Sequence, residues 1–316
     1  MTLPAAGAAS VLTAGAEEPQ PVAECHIWSL PPLPQPSKWF GLLDSTELVR
    51  TSSFAHELDL ARFVTGRMLA KTALALAVGT GPEAIRLHTR CPGCGGPHGK
   101  PRPVGIAEGW ELSISHSGDI VSVAIALGIP LGLDVERFEP WRGPGLPPEY
   151  ELVLTPAERA AVERLPEGRR VRACLTYWVR KEAVLKATGE GLNTPMTDFT
   201  LSGPEEPPAL LSWHGPDAAR PVPAIADVAL DDGHPTAVAA LGARCVRATV
   251  HRGTELLPGR PPARGRPAQA PRIASAQGPP AGQGGVARFP GAPRPPLEYA
   301  RDRLDLRVKS PRFPGS

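Results

Sequence analysis

The sequence lacks a long apolar segment, a secretory signal and an even set of cysteines. No run of about 18 apolar residues occurs, so we predict no membrane-spanning helix. The first 21 residues are rich in alanine but have no basic stretch followed by a continuous apolar core, which argues against a signal peptide. Five cysteines without a secretory signal indicate reduced thiols rather than a disulfide framework, so we expect a cytoplasmic protein.

Excess positive charge is also missing from the main body of the chain. The formal net charge is +2 at pH 7. From Leu257 onward there are ten arginines and one lysine against three acidic residues, a net charge of about +8, which leaves about −6 for the rest of the chain. A mildly acidic body argues against nucleic acid as the main partner.

Proline and glycine, by contrast, are abundant, with 40 and 33 residues that concentrate toward the C-terminus. Residues 257–316 contain few apolar side chains and cannot bury enough surface to fold, so we predict a disordered tail rich in Pro, Gly and Arg. We also expect a disordered leader over residues 1–23. Between these segments we predict an N-terminal half over residues 24–128 and a C-terminal half over residues 129–256, which ends in a strand over residues 245–251.

Two long helices, each introduced by a helix-start signal, indicate that the two halves share one plan. Apolar periodicity predicts a helix over residues 57–78 and another over about 170–188, and glycine follows both. Alternating apolar residues predict a hairpin after each helix, over residues 112–127 and 225–241. We therefore predict an α/β (α+β) fold of two similar halves, each a small sheet packed against a long helix.

Four charged residues in two short segments carry the strongest functional signal. In the segment GLDVE, Asp134 and Glu136 are two residues apart, so on a strand both carboxylates point to one side. In the segment WVRKEAVLKA, Glu182 and Lys186 are four apart and share one helix face, from which Lys181 points away. Three convergent carboxylates suit Mg²⁺, and a nearby lysine suits phosphate. The alternatives are solvated carboxylates at a strand end and an ordinary ion pair on the helix surface.

The segment SISHS places Ser115, His116 and Ser117 among alternating apolar residues. One interpretation is a histidine that makes a structural hydrogen bond. The other is a phosphate donor flanked by hydroxyl groups.

A predicted loop rich in Gly and Pro, residues 91–103, contains two further candidates. Cys91 and Cys94 have the spacing of half a zinc site or of a redox pair, but His98 supplies only a third ligand, so we expect a turn with unpaired thiols. In the segment HGKP the glycine allows close backbone approach, and Lys100 can meet a charged ligand.

With these segments assembled, the chain resembles the 4′-phosphopantetheinyl transferases of the two-halved, surfactin-synthetase-activating type. The segments HGKP, SISHS, GLDVE and WVRKEAVLKA match in order and spacing, and GEGL extends the last one. The resemblance covers about residues 24–255. Leu133, Val135 and Val179 differ from the residues frequent in the family, but no carboxylate does.

The resemblance implies a pseudo-twofold α/β fold with coenzyme A bound between the halves. It implies Mg²⁺-dependent transfer of 4′-phosphopantetheine to a serine of an acyl or peptidyl carrier protein, with release of adenosine 3′,5′-bisphosphate. Such transfer activates carrier domains of polyketide, nonribosomal peptide or fatty acid synthases. By the matching motifs, Asp134, Glu136 and Glu182 are Mg²⁺ ligands, Glu182 is also the base that acts directly or through water, and Lys186 stabilises the pyrophosphate.

The resemblance also assigns the contacts to coenzyme A. His116, counted among the catalytic residues, and Ser115 are phosphate contacts. Arg62 is another, from its helix position alone. Lys100 and Pro101 line the adenine and 3′-phosphate end. Since one chain carries both halves, we expect a monomer.

Two other functions are compatible with an acidic Mg²⁺ site. A Mg²⁺-dependent nucleotide pyrophosphatase would release product from coenzyme A without any carrier. A non-catalytic carrier-binding protein would have no need for an intact set of carboxylates.

Overall fold

The computed structural model describes residues 20–257, except residues 92, 94, 98, 192, 193 and 216–219. The predicted tail beyond residue 257, the predicted leader up to residue 19, and the candidate residues Cys94 and His98 therefore lie outside the described residues. Among the helices of the described part, none is long and apolar enough to cross a membrane.

The first half alternates strands with helices in the predicted order. A short polar helix, α1, precedes the long helix α2, which has the predicted bounds, and the predicted hairpin follows as β4 and β5. The elements of the first half are β1 (Val22–Leu30), α1 (Ser45–Thr51), α2 (Glu57–Val78), β2 (Arg86–His88), β3 (Arg102–Val104), β4 (Trp110–Ser117) and β5 (Ile120–Leu127).

The second half repeats this plan. The short helix α3 precedes the long helix α4, which begins three residues before the predicted position. Its elements are β6 (Leu131–Val135), α3 (Pro156–Glu163), α4 (Glu167–Thr188), β7 (Phe199–Leu201), β8 (Leu210–Trp213), β9 (Pro223–Asp227), β10 (Thr236–Leu241) and β11 (Cys245–Arg252).

Two main sheets lie between the two long helices. The first has the strand order β11-β1-β5-β4 and the second has the order β6-β10-β9. Helix α2 packs on one face of the first sheet and helix α4 on one face of the second. Their other faces meet in a core of small and medium residues that includes Ile27, Ala124, Leu133 and Val238. The predicted α/β fold of two similar halves, each a sheet on a long helix, is confirmed.

Three sequence-based expectations need correction. β11 was assigned to the C-terminal half but lies in the sheet of the first half, where it pairs in parallel with β1. The leader was expected to reach residue 23, but β1 begins at Val22 and Ala23 is fully buried. The predicted loop over residues 91–103 ends in the short strand β3, which pairs with β2. Pairing of this kind joins segments distant in sequence, and local periodicity does not reveal it.

Candidate active site

The predicted carboxylates lie at the end of β6, beside helix α4. Asp134 is in β6 and only 3% exposed, and Glu136 follows the strand and is half-buried. Burial raises the pKa of Glu136 to about 7, and the negative charges of Asp134 and Glu182 act in the same direction, while Ser117 and Lys186 oppose them. The three carboxylates therefore interact as neighbours, as the motif spacing predicts.

Gly132 allows β6 to approach α4 closely enough for these side chains to meet. A Cβ atom on this residue would lie 1.9 Å from Ala183 O and 2.5 Å from Ala187 N, both backbone atoms of α4. Only glycine permits that approach, since the helix backbone cannot move aside cheaply. The sequence analysis had assigned no role to this glycine.

Lys186 connects the carboxylates with the first half. Its Nζ donates to Asp134 Oδ1 at 2.5 Å, to Ser115 Oγ at 2.9 Å and to Leu133 O at 3.1 Å. Glu182 lies one turn earlier on α4 and is 2% exposed. The expected shared face of Glu182 and Lys186 thus looks toward β6 and not toward solvent.

Donor chemistry at this cluster fits a hard divalent cation. Asp134 Oδ2 is buried and has no hydrogen-bond partner among the described residues, an orphaned acceptor that a cation could satisfy. Within the described ranges, however, no group of three or more His, Cys, Asp or Glu side chains is arranged to hold a metal ion. Lys186 neutralises Asp134 in this arrangement.

A run of three serines on β4, which we call the serine run (Ser113, Ser115 and Ser117), joins the two halves at the site. One edge of β6 pairs with β10, and the other edge faces β4 of the first sheet. There the backbone N–H groups at positions 133, 135 and 137 donate to the hydroxyl groups of Ser113, Ser115 and Ser117 at 2.8, 3.3 and 3.1 Å. Side chains thus replace a backbone ladder between the two sheets.

Two lysines satisfy the carbonyl groups along the same edge of β6. Lys186 donates to Leu133 O, and Lys100 Nζ donates to Leu131 O at 2.8 Å and to Glu111 Oε2 at 3.2 Å. Burial lowers the pKa of Lys100, and Glu111 opposes this effect. Lys100, expected at the nucleotide, is engaged by the protein itself because buried backbone carbonyls need donors. Pro101 follows it, half-buried, just before β3.

His116 and Arg62 lie at the open end of the serine run. Arg62 donates to Gly118 O, in the β4–β5 turn, at 2.5 and 3.1 Å, and pairs with Asp59 at 2.9 Å. Loss of hydration lowers the pKa of His116 to about 4, and the charges of Lys186 and Arg62 act in the same direction. The ring is nevertheless exposed, so solvent weakens the first effect and the direction rests on the two cations. The charges of Arg62 and Lys186 therefore act on His116 and favour its neutral form.

Lys181, beside Glu182, serves the core of the second half. It is fully buried and donates to Glu158 Oε2 at 2.6 Å and to three backbone carbonyls. Arg180 is also buried and binds Asp227 through two hydrogen bonds of 2.6 and 2.9 Å. Lys181 points away from Glu182 as expected, but toward the protein interior, which the helix spacing alone did not indicate.

Sequence reasoning missed a cavity of about 590 Å³ in the first half. Arg50 and Arg67 flank the ring of Phe63, with their guanidinium carbons 5.3 and 5.2 Å from its centroid. Arg50 also donates to Pro97 O at 3.3 Å, which brings the cavity next to the HGKP segment. Its arginines come from two separate helices, so no local motif indicates it.

Comparisons with known proteins agree with this arrangement. The family model ACPS, described as the 4′-phosphopantetheinyl transferase superfamily, matches residues 130–239, which include all three carboxylates and Lys186. The 4′-phosphopantetheinyl transferase HetI of Nostoc sp. is 28% identical over 177 residues, 54% of this chain and 70% of that protein. A 4′-phosphopantetheinyl transferase of Bacillus subtilis is 27% identical over 148 residues, 47% of this chain and 61% of that protein.

Two further matches are more distant in coverage or shape. A phosphopantetheinyl transferase of Thraustochytrium sp. is 29% identical over 174 residues, 50% of this chain and 57% of that protein. The crystal structure of Thermotoga maritima holo-[acyl-carrier-protein] synthase covers 37% of this chain and 65% of its own, with 24% identity and a TM-score of 0.30. Residues 130–239, which carry the acidic site at β6 and α4, thus match the 4′-phosphopantetheinyl transferase superfamily, and the chain is similar to three proteins named as transferases of this kind.

Proposed function

We propose that this enzyme transfers 4′-phosphopantetheine from coenzyme A to a serine hydroxyl of an acyl or peptidyl carrier protein, with Mg²⁺. The observation that carries the proposal is the meeting of Asp134, Glu136, Glu182 and Lys186 at the junction of the two halves. In the reaction the serine oxygen bonds to the phosphorus that bears pantetheine. The bond from that phosphorus to the bridging oxygen breaks, and adenosine 3′,5′-bisphosphate leaves.

Asp134, Glu136 and Glu182 would hold the cation. When bound, Mg²⁺ supplies charge neutralisation at the pyrophosphate oxygens. The orphaned Oδ2 of Asp134 and the mutual repulsion of the carboxylates support this role. Lys186 neutralises Asp134 at 2.5 Å here, and we infer that its ammonium group instead meets a phosphate oxygen when coenzyme A binds.

Glu182 is the proposed base for the carrier serine. Its carboxylate takes the serine proton as the new oxygen–phosphorus bond forms, directly or through one water. The position of Glu182 on α4, one turn before Lys186 and near enough for its charge to act on Glu136, supports this role. Transfer of a phosphoryl-type group depends mainly on positioning and charge neutralisation, which this cluster can provide.

The remaining predicted contacts divide between two ends of coenzyme A. Arg62 and His116, beside Lys186, suit the pyrophosphate. The cavity with Arg50 and Arg67 around Phe63 suits the nucleotide end, where cations can meet a 3′-phosphate and an aromatic ring can contact a base. Lys100 then acts indirectly at the nucleotide end, by holding the backbone of β6 through Leu131 O. Ser115 accepts from Lys186 Nζ and so orients that side chain toward the pyrophosphate.

The site draws on both halves of one chain, which supports action as a monomer of the two-halved type. Reduced thiols in the sequence support a cytoplasmic location. Carrier domains of polyketide, nonribosomal peptide or fatty acid synthases are the proposed partners.

Incubation with coenzyme A, Mg²⁺ and a panel of carrier domains, followed by intact mass measurement, tests the proposal. We expect one carrier or more to gain a single phosphopantetheine, and D134N to give no gain. A reaction without Mg²⁺ should also give none. Release of adenosine 3′,5′-bisphosphate without any carrier would instead identify a pyrophosphatase. Binding of a carrier without modification would identify a non-catalytic partner.

A further inference from the structure

The three hydroxyl groups of the serine run each accept one backbone N–H, but they donate to different acceptors. Ser113 points to Leu133 O at 3.5 Å, Ser115 donates to Asp134 Oδ1 at 2.8 Å, and Ser117 donates to Glu136 Oε2 at 2.5 Å. The spacing of two residues on both strands produces this series, because positions 132, 134 and 136 face positions 113, 115 and 117.

Position 132 is glycine, so Ser113 has no carboxylate to bind. Its hydroxyl group can only help to hold the backbone of β6. Ser115 serves two charged groups, since it accepts from Lys186 Nζ and donates to Asp134. Ser117 bonds a single carboxylate, that of Glu136, and accepts one backbone N–H, so its effect on Glu136 can be isolated.

We propose that Ser117 is a positioning residue that fixes the Glu136 carboxylate for Mg²⁺. The inference rests on the proposed function, because it assumes that Glu136 is a ligand of the cation. Glu136 follows the last residue of β6 and is only half-buried, so the strand alone does not hold its side chain. A hydrogen bond to Oε2 restrains the carboxylate from the opposite sheet.

This restraint opposes a strong electrostatic tendency. Asp134 and Glu182 repel Glu136, and an unrestrained carboxylate would turn away from them. Ser117 offers compensation from a neutral group, which adds no charge that would compete with the cation. The hydroxyl thereby lowers the cost of holding three carboxylates together before the cation arrives.

Three variants test the role of Ser117, with binding of Mg²⁺ measured by calorimetry in the presence of coenzyme A and without carrier. S117A removes the donor, S117T retains it, and S113A is the matched control that loses only a backbone contact. Wild-type binding is measured first, because a wild-type protein that binds no Mg²⁺ overturns the proposed metal site itself.

For S117A we expect the Mg²⁺ concentration at half-saturation to rise about tenfold, the effect of one hydrogen bond to a charged group. S117T and S113A should bind as the wild type does. Denaturant unfolding should show similar losses of stability for S117A and S113A, since each removes a hydroxyl group that accepts one backbone N–H, from position 137 and position 133 respectively. If the wild type binds Mg²⁺ and S117A binds it equally well, or if S113A weakens binding as much as S117A, the positioning role of Ser117 is refuted.

Discussion

The two halves of the molecule share a supporting framework but not the chemistry placed on it. In the first half, Lys71 Nζ binds Glu47 Oε2 at 2.6 Å and Leu42 O at 2.6 Å. In the second, Lys181 Nζ binds Glu158 Oε2 at 2.6 Å and Val153 O at 2.8 Å. Each glutamate also closes a capping box at the start of its short helix, and each lysine stands at the same position of its 22-residue helix.

The difference lies in the residues that follow these lysines. One position later, α2 has Thr72 and α4 has Glu182, and five positions later α2 has Leu76 and α4 has Lys186. Leu76 is 63% exposed, whereas Lys186 reaches Asp134. The same framework thus carries Thr72 and Leu76 on the helix face of the first half, and Glu182 and Lys186 on that of the second.

The edges of the first strands differ in a related way. β1 pairs with β5 on one side and, through a full backbone ladder, with β11 on the other. β6 pairs with β10 on one side, but its other edge is held by the serine run and two lysines. Because side chains replace the ladder there, Lys186 can enter between the sheets. The candidate active site therefore lies at the strand edge that is held by side chains instead of a backbone ladder.

The largest expected effect is on turnover, which should depend on Glu182 in α4 but not on Thr72 at the matching position of α2. We expect E182Q to lower turnover at saturating coenzyme A and Mg²⁺ by at least about 100-fold, the usual loss when a general base is removed. T72V is the matched control, since Thr72 Oγ1 is buried without a hydrogen-bond partner among the described residues. It should leave turnover unchanged. Similar turnover in the two variants would break the comparison.

The next largest effect should be the loss of stability when the buried lysine–glutamate pair of either half is broken. We expect K181M to lower the free energy of unfolding by about 3–5 kcal/mol, because it leaves the buried Glu158 without its ion-pair partner. K71M should cost less, because Arg67 Nε still pairs with Glu47 Oε1 at 3.0 Å. Denaturant unfolding measures both losses. The double variants K71M/E47Q and K181M/E158Q should recover part of the stability. A loss in one half only would show that the two ion pairs are not equivalent.

The approach of strand to helix gives a smaller effect. We expect G132A to cost about 1–3 kcal/mol of stability, because its Cβ would collide with the backbone of α4. In α2 the Cβ of G66A would meet only side-chain atoms, Ile114 Cγ2 at 2.9 Å and Val121 Cγ1 at 3.6 Å, and a side chain can turn aside. G66A should therefore cost less, and thermal unfolding of both variants decides this. Equal costs would show that the second half is no more tightly packed than the first.

The smallest expected effect is the pH dependence that Glu136 contributes. Burial and Asp134 raise the pKa of Glu136 from 4.5 to about 7. Between these values Glu136 retains in the folded protein a proton that it has released in the unfolded chain, so its contribution to stability without Mg²⁺ should fall as pH rises from 4.5 to 7. In E136Q this decline should be weaker. Unfolding at a series of pH values gives both slopes, and identical slopes would contradict the prediction.

Local signals in the sequence predicted most of the elements. The apolar periodicity placed α2 at its observed bounds. Asp134, Glu136, Glu182 and Lys186 were recognised because strand and helix periods determine which side chains share a face. These features depend on neighbours within a few residues, so sequence reasoning can reach them.

Pairing and burial, in contrast, depended on segments far apart in the chain. The partners of Lys100 and Lys181 are backbone carbonyls and glutamates on other elements, so neither lysine's role follows from its own motif. The position of β11 beside β1 depends on a free strand edge about 220 residues earlier in the sequence.

The sequence by itself determined the two-halved plan, the long helices and the choice of candidate site residues, because each follows from a period or a motif of a few residues. Tertiary structure alone decided that β11 returns to the first sheet and that Gly132 brings β6 against α4. It also decided that the serine run holds β6 by its unpaired edge. The physical reason is that hydrogen-bond partners and close contacts between distant segments are chosen only when the sheets and helices pack.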